Sequence, residues 1–391
     1  MEGRSRTWLW VGIGGAVVLV IVLFIVFTGG EEAPTTTPVA QPATTQAPPE
    51  TTAPPATTAP PETTVPMIGE GRVVGMAYDI GGRGDKSFND LAALAWDTGM
   101  EQYGYMGEEL TPTAGGENRE ENLRLLAETG HEWILANGFA FAQNVFRVAT
   151  EFPEVFFAIT DACPADEAFA TVDMPNVACL LFAEHEGSFL VGAIAGLKTE
   201  TNDIGFIGGV DVPLIRKFQA GFEAGVRHVN PIAAISDTYL TQPPDFSGFN
   251  DPAKGNEAAR AMLEGNADIV YHAAGGSGTG MFEAIKEHAE ATGRTVWGIG
   301  VDADQFNTVG EDLQPWVLTS MLKRVDVAVF GAITEFLQGN FVSGANIFDL
   351  SRDGVGYSQT GGFVDDISDE IDALKVQIIN GTIVVPETLE G

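Results

Sequence analysis

The chain has 391 residues and a mass of 41.4 kDa, with 54 acidic side chains against 20 basic ones and a formal net charge of −34. A chain of this length can bury a large core, and its negative field argues against nucleic acid or an anionic membrane surface as a partner. The charge is consistent with a well-solvated acidic surface or with adaptation to high salt, and it says nothing about a ligand.

The N-terminal segment predicts a single membrane-spanning helix. Residues 8–28 contain no charge, and about 20 apolar residues in a helix match a hydrocarbon layer of about 30 Å. Arg4 and Arg6 precede the run and Glu31 and Glu32 follow it, so the positive-inside rule places residues before it in the cytoplasm and the rest outside. The run is longer than the apolar region of a cleaved signal peptide and no A-x-A-like site follows. This favours an uncleaved single-pass anchor in the cell membrane over a signal peptide.

Residues 29–68 are predicted to be a disordered linker. Between Glu31 and Pro66 the chain has ten prolines and eleven threonines and scarcely a large apolar side chain. Such a composition cannot bury enough surface to offset the entropy of ordering. In a polyproline-like conformation, at ~3.1 Å per residue, it makes a spacer of up to about 100 Å.

After the linker, short β-branched or aromatic runs alternate with longer segments of helical period, which predicts βαβ units and parallel sheets. The predicted strands are 72–79, 131–137, 155–160, 177–183, 204–208, 232–239, 268–273, 296–301 and 317–323. The predicted helices are 88–104, 118–128, 140–152, 184–199, 215–228, 254–264, 280–292 and 325–338.

Two smaller sheets fit this pattern better than one continuous sheet of nine strands. Residues 70–391 are therefore predicted to form an α/β domain of two lobes. Lobe 1 takes about 70–184 plus 317–345, lobe 2 about 185–316, and 346–391 form a C-terminal tail that packs along one lobe through an apolar helical face. Because ligands bind at the carboxyl ends of parallel strands, two facing sheets predict a cleft.

Polar residues follow several predicted strands at this edge. Asp79 is the last residue of one, Asp161 and Asp302 come directly after two others, and Ser87 is placed to cap the helix that begins at Phe88 and Asn89. Each could be only a turn residue or a helix start. Their repetition at successive strand ends predicts a shared site.

Aromatic residues in predicted loops favour a planar ligand. Phe88, Phe139, and Phe246 or Phe249 lie between elements or at helix starts, and a ring stacked on such a side chain gains roughly 1–3 kcal/mol. The alternative for any one of them is a core position.

The chain contains partial matches to catalytic and metal-binding motifs, but each match lacks a required residue at the required spacing. Residues 273–280, AAGGSGTG, lack G-x-G-x-x-G spacing, a phosphate-loop lysine and a nucleophile elbow. His185-Glu186 fails H-E-x-x-H, and the histidines show no ligand spacing to one another or to the cysteines. The sequence therefore predicts no metal, no cofactor and no enzyme. Cys163 and Cys179 lie in the exported part, where an oxidising compartment permits a disulfide between them.

Seven ordered segments resemble the basic membrane protein family, the PnrA-like purine nucleoside receptors of ABC importers. They are 85–89 DKSFN, 186–192 EGSFLVG, 205–209 GFIGG, 218–222 FQAGF, 273–278 AAGGSG, 300–305 GVDADQ and 318–323 LTSMLK. The likeness spans about residues 73–357. It implies a type I periplasmic binding protein fold, with two doubly wound parallel-sheet lobes joined by hinge crossovers, and as partners a nucleoside and the permease and ATPase subunits of an ABC transporter.

The resemblance also implies roles for particular residues. The base would lie between Phe88 and Phe249 or Phe246, while Asn89 and Asp161 read its edge. Asp302, Gly276 and Lys323 would hold the ribose. The binding set predicted in full is Asp79, Phe88, Asn89, Phe139, Asp161, Phe249, Gly276, Asp302 and Lys323.

The chain departs from the family in its attachment. Family members are usually lipoproteins held by an acylated cysteine, whereas this chain has the predicted helix and linker, so a membrane-tethered sensor of the same fold is an alternative to a receptor that feeds an importer. A receptor for another ring compound, such as a flavin, is an alternative to a nucleoside receptor.

Overall fold

The computed structural model describes residues 67–389. Nearly the whole of the predicted linker and all of the predicted anchor, 8–28, lie outside that range. No helix within 67–389 has the length and apolar character needed to cross a bilayer.

The described residues form two six-stranded sheets, each the centre of one lobe. The strands of sheet 1, in spatial order, are β11 (Gly344–Phe348), β5 (Val177–Phe182), β4 (Phe156–Thr160), β3 (Trp133–Ala136), β1 (Val73–Ala77) and β2 (Met106–Leu110). Those of sheet 2 are β12 (Val355–Tyr357), β10 (Val317–Lys323), β9 (Trp297–Asp302), β8 (Ile269–Ala273), β6 (Asp203–Val210) and β7 (Ala234–Thr241).

Both sheets are parallel except where β12 pairs antiparallel with β10. Helices cover their faces, so inner strands such as β3 and β8 are buried along their whole length. This is the continuous apolar pattern expected of a parallel sheet packed on both faces. The α/β class and the two-lobed type I architecture predicted from the sequence are confirmed.

Nine of the ten α-helices in the described residues lie between successive strands, and the tenth follows the last strand. In lobe 1 they are α1 (Phe88–Tyr103), α2 (Arg119–Glu128), α3 (Ala142–Glu151) and α9 (Val325–Leu337). In lobe 2 they are α4 (Glu184–Lys198), α5 (Pro213–Val229), α6 (Pro252–Glu264), α7 (Gly278–Thr292), α8 (Gln305–Thr308) and α10 (Ser368–Ile379). Gly104 and Gly293 end α1 and α7 in the left-handed conformation that glycine adopts without a Cβ clash.

The chain passes between the lobes three times. It crosses from β5 into α4 at Ala183–Glu184, from β10 into α9 at Arg324, and from β11 towards β12 along 349–354. Within the tail, α10 packs on α4 of lobe 2 and buries Ile371, Leu374 and Ile378.

The predicted lobe boundary at 317 is wrong. Strand β10 pairs with β9 and β12 in sheet 2 and therefore belongs to lobe 2. Only after Lys323 does the chain return to lobe 1, where α9 packs on α1, β3 and β5. The predicted tail boundary at 346 is also misplaced, because residues 346–348 are part of β11 and pair with β5. An apolar strand can pair in either sheet, and the sequence alone does not specify its partner.

Candidate ligand-binding site

A cavity lies between the lobes at the carboxyl ends of their strands. It contains about 630 Å³ free of protein atoms, part of it open to solvent. Its lining comes from both lobes: Asp79, Ile80, Asp85, Phe88, Asn89, Gly138, Phe139, Asp161, Leu214, Ile215, Phe218, Phe249, Ala273, Gly275, Val301, Asp302 and Lys323.

Eight of the nine predicted site residues line this cavity. The exception is Gly276. Its neighbour Gly275 lines the cavity with a φ of +53°, whereas Gly276 lies against Asn250, whose Oδ1 would be 3.1 Å from an added Cβ.

Lys323 is the ion-pairing centre of the cavity. Its Nζ donates a hydrogen bond of 2.7 Å to Asp161 Oδ2 and lies 3.7 Å from Glu184 Oε1. All three side chains are at most 5% exposed. Because Lys323 is on β10 of lobe 2 and Asp161 follows β4 of lobe 1, their ion pair joins the lobes.

The surroundings of Lys323 hold it charged. Burial alone would lower the pKa of this ammonium, but the carboxylates of Asp161, Asp302 and Glu184 outweigh burial and raise it to about 12. Three phenyl rings also lie near Nζ, with centroids 4.9 Å away for Phe88, 5.2 Å for Phe182 and 5.5 Å for Phe218. Ring faces attract a cation at such distances. The charge of the ammonium is therefore already balanced by contacts within the protein. It has little capacity left to pair with an anionic ligand.

Asp161 and Asp302 both lie in the left-handed region, with φ of 65° and 63°, which aspartate tolerates better than most side chains. Asp302 Oδ2 accepts a hydrogen bond of 2.7 Å from Ser87 Oγ, a second bond between the lobes. Burial raises the pKa of both carboxyls, and Lys323 offsets part of that rise. In each of them Oδ1 is buried without a hydrogen-bond partner among residues 67–389. The cavity thus contains two acceptors suited to ligand donors.

The helix cap at this site differs from the expected one. Ser87 Oγ makes no bond to the start of α1, because it bonds across to Asp302. Asp85 accepts the backbone N–H bonds instead, from Ser87 at 3.0 Å, Asn89 at 2.8 Å and Asp90 at 3.1 Å. Burial still raises the pKa of Asp85 to about 6.

Asn89 belongs to a buried amide chain. Thr160 Oγ1 donates to Asn137 Oδ1, Asn137 Nδ2 donates to Asn89 Oδ1, and Asn89 Nδ2 donates to the Ile80 carbonyl at 3.3 Å. These bonds fix the orientation of the Asn89 amide. This orientation determines whether a ligand contacts the amide oxygen or the NH₂ group.

Asp79 is neutralised on the lobe 1 wall. Its Oδ1 accepts hydrogen bonds from the Ile80 N–H and from the buried Arg119 guanidinium. Arg119 also lies over the Phe246 ring of lobe 2, with its Cζ 5.6 Å from the centroid. Phe246 is therefore part of the support around the cavity, whereas Phe249 is part of its lining.

The apolar walls come from rings on both lobes. Phe88 and Phe139 of lobe 1 and Phe218 and Phe249 of lobe 2 line the cavity, and the centroids of Phe139 and Phe249 are 6.2 Å apart. Phe218 was missed because its position within helix α5 indicated core packing. Its place in the FQAGF segment was the available signal.

Glu184 was also missed. It is 1% exposed at the first crossover, and its Oε2 lies 2.9 Å from Lys217 Nζ. The preceding strand and the ordinary acidic helix start gave no sign of a buried carboxylate.

Cys163 and Cys179 form a disulfide with their Cα atoms 5.1 Å apart. It ties the loop after Asp161 to β5 in lobe 1. Within the described part of the chain, no group of three or more His, Cys, Asp or Glu side chains is arranged to hold a metal ion.

The model of the family described as ABC transporter substrate-binding protein PnrA-like matches residues 72–389. Among curated proteins, the chain is 34% identical to the CD4+ T-cell-stimulating antigen of Listeria monocytogenes, over 80% of this chain and 88% of that protein. It is 29% identical to the ABC transporter nucleoside-binding protein BmpA of Lactococcus lactis, over 79% and 87% respectively.

Among solved structures, an ABC transporter solute-binding protein of Aeropyrum pernix superposes with a TM-score of 0.69 at 30% identity. The match covers 81% of this chain and 94% of that one. With the family model spanning both lobes, this chain belongs to the PnrA-like family of ABC transporter substrate-binding proteins, which bind solutes and are not enzymes.

Proposed function

We propose that the chain captures a nucleoside, preferably a purine nucleoside, in the cavity between its lobes and delivers it to an ABC importer. The observation that carries this proposal is the pair of buried carboxylate oxygens, Asp161 Oδ1 and Asp302 Oδ1, that have no partner within the described residues. Buried acceptors of this kind favour a ligand that brings its own donors.

A nucleoside supplies donors at both ends. Its ribose carries neighbouring hydroxyls that can donate hydrogen bonds to Asp302. Its base carries N–H groups that can donate hydrogen bonds to Asp161. Between them, Phe88 and Phe249 give the base two ring faces, each worth roughly 1–3 kcal/mol when stacked. Gly275 allows backbone to approach the sugar closely because it has no side chain there.

The charge of the cavity favours a nucleoside over a nucleotide. Lys323 is already paired with Asp161 and Glu184, and Asp302 adds a further carboxylate to the wall. A phosphate would meet these acids with no uncommitted cation among the residues that line the cavity. The same argument excludes acidic ring compounds as good ligands.

We further propose that the ligand-binding domain works outside the cell, held at the membrane by residues 8–28 and extended from it by the linker. The disulfide between Cys163 and Cys179 supports an oxidising location. Permease and ATPase subunits of an importer are the partners that the family implies.

Calorimetric titration with adenosine, guanosine, inosine and cytidine tests the ligand. We expect binding at micromolar concentration or tighter, with the purine nucleosides ahead of cytidine. No heat from any of the four would overturn the nucleoside proposal, and binding of a flavin in their place would redirect it to another ring compound.

Replacing Asp302 tests the ribose contact. Asp302→Ala should weaken nucleoside binding by roughly 10- to 100-fold, the effect of losing a hydrogen bond to a charged group, and should weaken binding of the free base much less. Asp312→Ala, which removes an exposed acid of the same lobe, is the matched control and should change neither. Equal losses for nucleoside and base would remove the ribose role.

A further inference from the structure

A set of contacts joins the lobes outside the cavity. The backbone carbonyl of Lys86, in lobe 1, accepts hydrogen bonds from Thr308 Oγ1 at 3.0 Å and from Gln305 Nε2 at 3.3 Å, both on α8 of lobe 2. None of the three residues lines the cavity. These bonds therefore depend on how the lobes are placed and not on contact with a ligand.

On the lobe 2 side of this contact, the Gln305 side chain is held in place by hydrogen bonds within its own lobe. Gln305 is fully buried, and its Oε1 accepts the Val301 backbone N–H at 3.0 Å and lies 2.7 Å from His272 Nε2. Burial lowers the pKa of His272 to about 4, although the bond to Gln305 opposes that change. The imidazole is therefore neutral near pH 7 and donates through Nε2. With its oxygen fixed by these donors, the Gln305 amide directs its NH₂ group to Lys86.

The lobe 1 side is held just as firmly. Lys86 lies in the left-handed region with a φ of 62°, and its N–H donates to Asp90 Oδ2 at 3.0 Å. The next residue, Ser87, is bonded to Asp85 through its backbone and to Asp302 through its hydroxyl. The carbonyl between them has little freedom once the lobes meet.

We propose that the Lys86 carbonyl, Gln305 and Thr308 form a latch that stabilises the closed lobes by protein contacts alone and slows release of the bound solute. The closing effect needs no ligand. Only the effect on release rests on the nucleoside function proposed above.

Thr308→Val in the full-length chain tests the latch, because it removes the hydroxyl at nearly constant shape. Spin labels introduced at the exposed positions Glu101 of lobe 1 and Glu290 of lobe 2 report the distance between lobes by pulsed electron resonance. We expect the closed fraction of the ligand-free protein to fall. The rate of nucleoside release should rise about fivefold with little change in association, as for the loss of one hydrogen bond.

Two variants control this measurement. Asn307→Ala on the same helix removes an exposed amide whose partner among residues 67–389 is Asp304 of the same lobe, and this variant should behave as the wild type. Thr308→Ser keeps the hydroxyl and should also keep the closed fraction, which separates the bond from any folding defect of the valine variant.

Two results would overturn the latch: a wild-type protein with no closed population in the absence of ligand, or a Thr308→Val variant with an unchanged closed fraction and release rate. Absence of nucleoside binding by the wild type would instead defeat the proposed function. The closed fraction of the ligand-free variant would then still decide for or against the latch.

Discussion

Around Lys323, one ammonium serves three buried carboxylates. Its Nζ contacts Asp161 and Glu184 directly, and Asp302 lies close enough to raise the lysine pKa further. Removing one partner from such a buried group typically costs several kcal/mol. Because burial raises the pKa of Asp161 and Asp302, the site favours a proton on one of these two carboxyls unless a ligand supplies donors that stabilise the ionised form.

Nucleoside binding should weaken as the pH falls. Burial raises the pKa of Asp161 and Asp302, so protonation begins above the ordinary aspartate value of about 3.9 and removes the acceptors. We expect the calorimetric Kd to rise at least about tenfold from about pH 8 to about pH 5, one unit of pKa shift being worth a factor of ten. Asp161→Asn should flatten this dependence, and a flat wild-type profile would contradict it.

The stability of the ligand-free protein should depend on pH in the opposite direction and decrease as the pH rises. A carboxyl whose pKa is raised on folding stabilises the native state fully below its unfolded pKa, and this contribution is lost as the pH rises through the folded value. Ligand and proton thus compete for the same carboxyls.

The place of a residue in the site could be predicted from the sequence when it depends only on the residue's position at the end of a strand. Asp79, Asp161 and Asp302 could be placed in a cleft because strand ends of parallel sheets converge. Their partners could not, since the pairing of Lys323 with Asp161 and of Ser87 with Asp302 depends on how two lobes meet across more than 160 residues of chain.

Among the elements, α4 and α5 make an unusually close helix pair. A Cβ on Gly192 would lie 2.1 Å from the Phe222 carbonyl oxygen, and one on Gly225 would lie 2.0 Å from that of Phe189. Only glycine allows this approach, which positions the first crossover and Glu184 at the start of α4.

Gly225→Ala should therefore destabilise the protein by about 1–3 kcal/mol, the usual cost of overpacking. Gly331→Ala is the matched control, since Gly331 lies in the middle of α9 and, apart from the backbone of its own helix, no atom of residues 67–389 is within 4 Å of its added Cβ. That change should stabilise the helix by up to about 1 kcal/mol. Urea unfolding measures both, and a neutral Gly225→Ala would show that the helices can move apart freely.

The strands missed from the sequence are all at sheet edges. Strand β2 has three exposed residues out of five, and β12 has only three residues. Strand β11 alternates half-buried and exposed positions over a short run. Edge strands lack the continuous apolar pattern of inner strands, so the pattern that identified β3 and β8 could not identify them.

For the whole molecule, the formal charge of −34 should make stability depend on salt. Self-repulsion of a strongly charged surface destabilises the compact state, and screening lengths fall to about 3 Å at 1 M salt. We expect the Tm to rise as NaCl increases from about 0.1 to about 1 M.

The control is a variant with fewer exposed acids. Glu101→Gln, Glu128→Gln and Glu290→Gln together remove three charges from exposed helix positions and should narrow the salt response while raising the Tm at low salt. A Tm that does not change with salt would mean that existing ion pairs already balance the surface charge.

Because of the three crossovers, neither lobe is encoded by one continuous stretch of the gene. Lobe 1 needs α9 and β11 from beyond residue 324, and lobe 2 needs β12 from beyond β11. A nascent chain can therefore complete neither sheet until nearly all of the domain has been synthesised, so any truncation before residue 357 leaves at least one lobe without a strand.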